Sequence, residues 1–194
     1  MSVRTAAVVP AAGKSERFGS MKLLAAIDGE PLLNHTLRAL LHGGVDHVVV
    51  VLAPDADLHA ATLLRDPRVT VVVNHDRSRG MFSSIQTGLA AADATTVLVL
   101  PADMPFVRSG TVSAILARAE QSDEVVRPSL GSQHGHPIAL PGRIRELLMA
   151  MDAGISLKQA LADAGVDVRE IEVDDVGVLR DVDVRADLES GVRR

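Results

Sequence analysis

Val8-Val9-Pro10-Ala11-Ala12-Gly13-Lys14-Ser15-Glu16-Arg17-Phe18-Gly19-Ser20-Met21-Lys22 is the stretch on which the fold reading turns. The apolar run that leads into it, Ala6 to Val9, reads as a buried strand. The small residues that follow let the backbone turn sharply and come close to a ligand. Successive N–H groups in such a turn form a concavity that binds anions. Lys14, Arg17 and Lys22 hang their cations around it. The set suits a nucleoside triphosphate. Pro10, Ala11, Ala12 and Gly13 would lie under base and ribose, with amides and cations around the phosphates. The loop has neither the GxxxxGK[ST] of the Walker type nor the GxGxxG of the dinucleotide type.

Outward from this loop, strands alternate with helices. Pro31 opens a helix running to about Leu41, closed by Gly43-Gly44. Val45 to Ala53 is a nearly continuous β-branched run, which reads as a central parallel strand buried on both faces. Leu58 to Leu64 has helical spacing, Val69 to Val73 is a third strand, Phe82 to about Ala92 a helix and Thr96 to Leu100 a fourth strand. This alternation predicts an α/β fold: a three-layer, Rossmann-like, mostly parallel sheet whose ligands sit at the carboxyl ends of the strands. The later chain is less regular. Arg108 to Gln121, Pro141 to Met151 and Leu157 to Ala164 read as helices. Glu124 to Arg127, the segment ending at Leu140, and Val168 to Val173 read as strands. With 194 residues and no internal repeat, one domain is expected, with residues 1–106 as its nucleotide-binding half and 107–194 as its acceptor-binding half.

Bulk properties narrow the class. Three Phe, no Trp and no Tyr leave little for base stacking, and a net charge of −5 lacks the basic excess of a nucleic-acid binder. Without cysteine there is neither a disulfide framework nor a thiolate metal site. No secretory h-region and no apolar run of membrane-spanning length is present, so no membrane association and a cytoplasmic location are expected.

Three further segments carry chemistry. Asp103, in Leu100-Pro101-Ala102-Asp103-Met104-Pro105, stands at the end of the fourth strand, facing the first loop. Magnesium prefers one or two carboxylates and completes its shell with phosphate oxygens and water, so Asp103 suits a Mg2+ ligand. Gly80-Met81-Phe82-Ser83-Ser84-Ile85-Gln86-Thr87-Gly88 places a glycine and two serines at a helix start, offering N–H donors and hydroxyls. His134-Gly135-His136-Pro137 has two histidines two apart but no third ligand at matching spacing.

Taken together, these segments resemble the MobA-like nucleotidyltransferases. The first-loop pattern (A/P)AG-x3-R-x-G-x2-K is carried by Ala12-Gly13, Arg17, Gly19 and Lys22, and the metal segment LxxDMP ends at Pro105. Gly80 to Gly88 resembles the family's base and ribose segment, most firmly at Gly80, Ser83 and Ser84. Gly135 and His136 match the GHP motif of the cytidylyltransferase branch, on the acceptor side. An arginine is common where His134 stands. The ending Asp174-Asp175-Val176-Gly177 to Asp183 resembles DD-x-G-x-x-x-D-(I/V)-D, with Asp181 and Asp183 as candidate further metal ligands. Asp152-Ala153-Gly154 is a partial match to a segment whose arginine is absent here.

The resemblance implies Mg2+-dependent attack of an acceptor phosphate on the α-phosphorus of a triphosphate. Lys22 would sit on the α-phosphate, with Arg17 and the loop amides on the leaving phosphates and the metal on Asp103. The guanylyltransferase branch carries Leu-Ala-Gly-Gly where this chain has Pro10-Ala11-Ala12-Gly13, and the methyl of Ala12 leaves less room for a purine. The expectation is therefore CTP, with a molybdopterin-type phosphate acceptor and a molybdenum hydroxylase apoenzyme as a further partner. A related transferase using GTP or another small phosphate, and a non-catalytic nucleotide-binding maturation factor, are the competing readings.

Overall fold

A computed structural model describes residues 4–13, 22–56, 65–184 and 186–189. The expected helix at 58–64, and Lys14 and Arg17, lie outside the described residues. The strands are β1 (Thr5–Pro10), β2 (Ala26–Ile27), β3 (Glu30–Pro31), β4 (His47–Leu52), β5 (Val69–Val73), β6 (Thr96–Val99), β7 (Val125–Leu130), β8 (Gln133–His134), β9 (Ile138–Pro141) and β10 (Val168–Glu172). The helices are α1 (Leu32–His42), α2 (Met81–Ala91), α3 (Ser109–Ser122), α4 (Arg145–Met149), α5 (Leu157–Asp163) and α6 (Ala186–Glu189).

One sheet runs in the order β10-β7-β9-β6-β1-β4-β5, with β8 paired to β7. The continuous apolar runs of β1 and β4 follow from burial on both faces, and period-two alternation divides them between two cores. Ala7, Val9, Val48, Val50 and Leu98 face α1 and α3, where they meet Leu33, Leu40, Val112 and Ile115. Ala6, Val8, Val49, Val51 and Val97 face the opposite layer, packing on Phe82, Ile85 and Leu89 of α2 and on Leu148, Leu157 and Leu161. The result is the expected three-layer, mostly parallel α/β fold.

The exceptions to the parallel sense are β9, antiparallel to both β6 and β7, and the two-residue β8, antiparallel to β7. The chain from Leu130 to Ile138 is too short for a parallel crossover, which takes a dozen residues or more. Two other local readings shift. Pro31 pairs with Ala26 and precedes the helix, which begins at Leu32. The helix expected from Pro141 starts as a 3-10 turn, Gly142–Ile144, before α4. Asp28 and Gly29 turn the β2–β3 hairpin with φ of 51° and 82°, as a type I′ turn needs.

At the amino edge of the sheet, Asp46 ties β1 to β4. Its carboxylate accepts from the amides of Arg4 and Thr5 at 3.2 and 3.1 Å and from the Thr5 hydroxyl at 3.1 Å. The Thr5 amide, more than any other contact, holds this carboxyl below its ordinary value. A depressed carboxyl stabilises the fold above its unfolded value of about 4, and that contribution disappears as pH falls through the folded value. Because Asp46 is exposed, Asp46→Asn is expected to cost about 1 kcal/mol at pH 7, or about 2–4 °C of Tm. The gap between wild type and variant, read by denaturant unfolding, should close as the pH is taken below 4.

Candidate active site

Strand order reverses between β1 and β6, because the chain runs from β1 outward through β4 and β5 and returns to β6 on the other side. Such a switch point opens a crevice at the carboxyl edge, and the predicted loop leaves β1 into it. The Ala11 amide bonds to Val51 O at 2.9 Å and Pro10 O accepts from the Ala102 amide at 3.1 Å, so the first residues after β1 are pinned to both neighbouring strands. Ala12 is buried, whereas a Cβ at Gly13 would meet nothing within 4 Å.

Asp103 follows β6 on the same edge. Thr36 of α1, fully buried, donates its hydroxyl to Ala102 O at 3.0 Å and so fixes the strand end just before it. Lys22, only 8% exposed, donates from Nζ to Asp103 Oδ2 at 2.9 Å and to Asp183 Oδ1 at 3.3 Å. One ammonium thus gathers two carboxylates from positions 81 and 161 residues away.

The tail delivers Asp183. Val182 is buried with Ile27 and Leu32, beside Phe106, and its amide bonds to Asp103 O at 2.8 Å. The Arg180 guanidinium lies 4.4 Å from the centroid of the Phe106 ring, a cation–π contact. Asp187 accepts from the amides of Asp183 and Val184, both at 2.8 Å. The Val184 and Asp183 amides hold its carboxyl below the usual range, with Lys22 and Arg180 adding. Asp181, proposed beside Asp183, is exposed and is not among the groups gathered on Lys22. Val182 between them takes the inward position.

The acidic pair before this tail divides its work. Asp175, 2% exposed, accepts from the Arg108 amide at 2.9 Å, Thr111 Oγ1 at 2.6 Å and the Gly177 amide at 3.0 Å. It caps α3 from a distant segment and anchors the turn Val176–Leu179. That turn supports the Gly135-His136 segment. Val178 O accepts from the His136 amide at 3.0 Å, and a Cβ on Gly135 would lie 2.3 Å from the same oxygen. His136 Nδ1 lies 3.4 Å from Val99 O. Burial lowers its pKa, partly offset by Val99 O and by the charge of Asp103. His136 is therefore a neutral imidazole beside the Asp103 edge. His134 is exposed and pairs instead with Glu170, 3.1 Å away.

At the start of α2, Gly80 has φ 101° and ψ −175°, a conformation open essentially to glycine alone. Ser83 and Ser84 are buried and both accept from Asn74 Nδ2, at 2.8 and 2.9 Å. Gly88 lies deeper in the helix. A Cβ there would meet Val8 Cγ1 at 2.3 Å and Val51 Cγ2 at 3.1 Å, so close helix–sheet packing demands glycine. Nucleotide contact is not needed to explain it. Asp152 of the partial motif accepts from Arg79 Nη2 at 2.6 Å, joining its loop to the loop before α2.

The sequence reading assigned no role to Asn74, and it quoted Asp175 only as part of the acidic ending. Asn74 ends β5 and accepts the Asp76 amide at 2.8 Å, an Asx turn, the single local signal available. Among the described residues no group of three or more His, Asp or Glu side chains is placed to hold a metal. Nor, among the described residues, is any helix long and apolar enough to cross a membrane.

Comparison with known proteins bears on this arrangement. A model of the MobA-like NTP transferase domain matches residues 7–168. The chain is 31% identical to a probable molybdenum cofactor guanylyltransferase of Natronomonas pharaonis, covering 100% of this chain and 99% of the relative. It is 37% identical to 2-C-methyl-D-erythritol 4-phosphate cytidylyltransferase of Streptomyces avermitilis, over 72% of this chain and 60% of that protein's length. Nicotine blue oxidoreductase of Paenarthrobacter nicotinovorans is 32% identical over 76% of each chain. Among solved structures, Rv0371c of Mycobacterium tuberculosis superposes with a TM-score of 0.82 at 26% identity, over 99% of this chain and 98% of its own. The relatives divide between guanylyl transfer, cytidylyl transfer and an oxidoreductase name, so likeness assigns the family and leaves base and acceptor open. With the family's model matching most of its length and Lys22 of the loop motif meeting Asp103 at the sheet edge, the chain belongs to the MobA-like NTP transferase family.

Proposed function

We propose that the protein transfers CMP from CTP to the terminal phosphate of a molybdopterin-type acceptor and releases pyrophosphate. The observation that carries nucleotidyl transfer is Lys22, a buried ammonium held by Asp103 and Asp183 beside the small-residue loop at the switch point. For cytosine the support is Ala12, 4% exposed, whose methyl takes room that a glycine would leave to a purine. Guanylyl transfer is the second reading, favoured by the full-length alignment with the Natronomonas guanylyltransferase.

Two carboxylates converging on one cation form a donor set that fits Mg2+, with phosphate oxygens completing the shell. Asp103 and Asp183 would hold it; Asp181 would have to turn inward to join them. Rv0371c has also been solved as a manganese complex. When bound, the metal would neutralise charge on the phosphates. The remaining work falls to the chain's own groups. Lys22 turns from the carboxylates to the α-phosphate, and the amides about Gly13, with Lys14 and Arg17, receive the departing phosphates. A phosphate monoester is largely dianionic at neutral pH, with a second pKa of about 6, so the acceptor needs no general base. Catalysis is then alignment and charge stabilisation. The neutral His136 and Gly135 would line the acceptor's side, and the product would pass to a molybdenum hydroxylase apoenzyme.

The test is thermal stabilisation by CTP, GTP, ATP and UTP with and without Mg2+, since a ligand of the folded state alone raises Tm with its saturation. A CTP-selective, Mg2+-dependent rise of several degrees is expected, followed by pyrophosphate release on adding molybdopterin. A GTP-selective rise would move the protein to the second reading. Stabilisation without pyrophosphate release would make it a nucleotide-binding maturation factor.

A further inference from the structure

Asn74 is 2% exposed at the end of β5, and its hydrogen bonds run in one direction. The Asp76 N–H can only donate, so the oxygen that accepts it at 2.8 Å is Oδ1, and the other end of the amide is Nδ2. That nitrogen donates to Ser83 Oγ at 2.8 Å and to Ser84 Oγ at 2.9 Å. Each serine therefore has a lone pair occupied by Asn74 and must send its own proton elsewhere.

The two serines differ in where that proton goes. Ser83 Oγ donates to Gly80 O at 2.7 Å, with Asp76 O at 3.1 Å as a further acceptor. For the Ser84 proton no acceptor occurs among the described residues. Ser84 stands in the first turns of α2, where side chains lean toward the helix N-terminus. That end of α2 lies at the carboxyl edge of the sheet, because α2 begins directly after the loop leaving β5. A buried hydroxyl that accepts from inside and has an unspent proton is a donor poised for a ligand.

We infer that Asn74 is a positioning residue: it directs the Ser84 hydroxyl proton toward a ribose hydroxyl or base carbonyl of the bound nucleotide. The inference rests on the nucleotidyltransferase reading above and adds to it a role for Asn74, which the motifs quoted for the first loop, the Gly80–Gly88 segment and Asp103 do not include. Asn74 itself touches no substrate. It fills an acceptor site on both serines, and because Gly80 O takes the Ser83 proton, Ser84 is the one left to donate.

Asn74→Asp is nearly isosteric and reverses the direction of these bonds. Its first oxygen still accepts the Asp76 amide, while the second can only accept, drawing the serine protons inward. The expected result, by calorimetric titration with CTP and Mg2+, is an about tenfold weaker Kd with a matching rise in KM and little change in kcat at saturation. Ser84→Ala should show the same tenfold loss. Asn74→Asp added to Ser84→Ala should cost nothing further, because both act through one hydrogen bond. A purely structural Asn74 would lower Tm without this coupling. Undiminished CTP binding by folded Asn74→Asp, or a full tenfold loss in the Ser84→Ala background, overturns the inference. Ser84→Ala decides alone if Asn74→Asp does not fold: wild-type affinity in it refutes the role. A wild-type protein that binds neither CTP nor GTP refutes the nucleotidyltransferase reading itself, which is a different failure.

Discussion

Asp103→Ala is expected to lower nucleotidyl transfer by about a thousandfold or more while the protein keeps its fold. Removing one preorganised charge partner from a transition state costs about 10²- to 10³-fold elsewhere, and here the carboxylate would also be lost as a metal ligand. The fold should tolerate the change for a geometric reason. The Asp103 side chain is 29% exposed and bonds to Lys22, whereas the backbone contacts that shape the strand end are kept. These are the Ala102 amide to Pro10 O, Thr36 Oγ1 to Ala102 O, and the Val182 amide to Asp103 O. Asp183 still faces Lys22, so the buried ammonium is not stranded. A partly exposed pair is worth about 1 kcal/mol or less. Single-turnover rates and thermal melts on the same preparation test this. Collapse of Tm in step with activity would mean that Asp103 is a structural cap and not part of the chemistry.

Gly177→Ala should be the most destabilising of the conservative changes. The added methyl would lie 2.1 Å from the Phe106 carbonyl oxygen and 2.8 Å from the Val107 nitrogen, both backbone atoms that cannot swing aside. Overpacking of this kind costs about 1–3 kcal/mol, and with backbone on the far side the upper end applies. A Tm lower by about 10 °C is the expected reading. Activity below the melt should fall as well, because the same turn seats His136 through Val178 O and carries the tail on to Asp183. Gly110→Ala is the control. It lies in α3, where a Cβ meets nothing within 4 Å, and it should be neutral or slightly stabilising through helix propensity. Equal melting losses at the two positions would refute the packing argument.

Runs of one residue character proved readable. Val69–Val73 falls where its β-branching puts it, and the buried run of β4 is an interior strand. Helices α2 and α3 begin within a residue of their expected starts. Each of these depends on neighbours in the chain. The sense of β9 was not readable. It depends on how few residues separate it from β7, and on the two-residue strand β8 that folds back on β7.

Among the candidate site residues the division is similar. Pro10 to Gly13, Lys22 and Asp103 could be named from local pattern, because close backbone approach, positive charge and a strand-end carboxylate are each written in the residue types. Four choices were decided by the tertiary structure. Asp183 reaches Lys22 while Asp181, two residues earlier, is exposed; Asp175 caps a helix more than sixty residues upstream; Gly88 answers to Val8; and Asn74 commands two serines. The chain by itself thus determined the strand–helix alternation, the loop and the kind of chemistry they support, since these follow from backbone preference and side-chain charge over short spans. Which carboxylate meets the lysine, which serine has no acceptor for its proton among the described residues and which glycine is indispensable were decided only by folding. Each depends on distances between segments far apart in sequence, and on which face of a strand, helix or tail the packing of its neighbours turns inward.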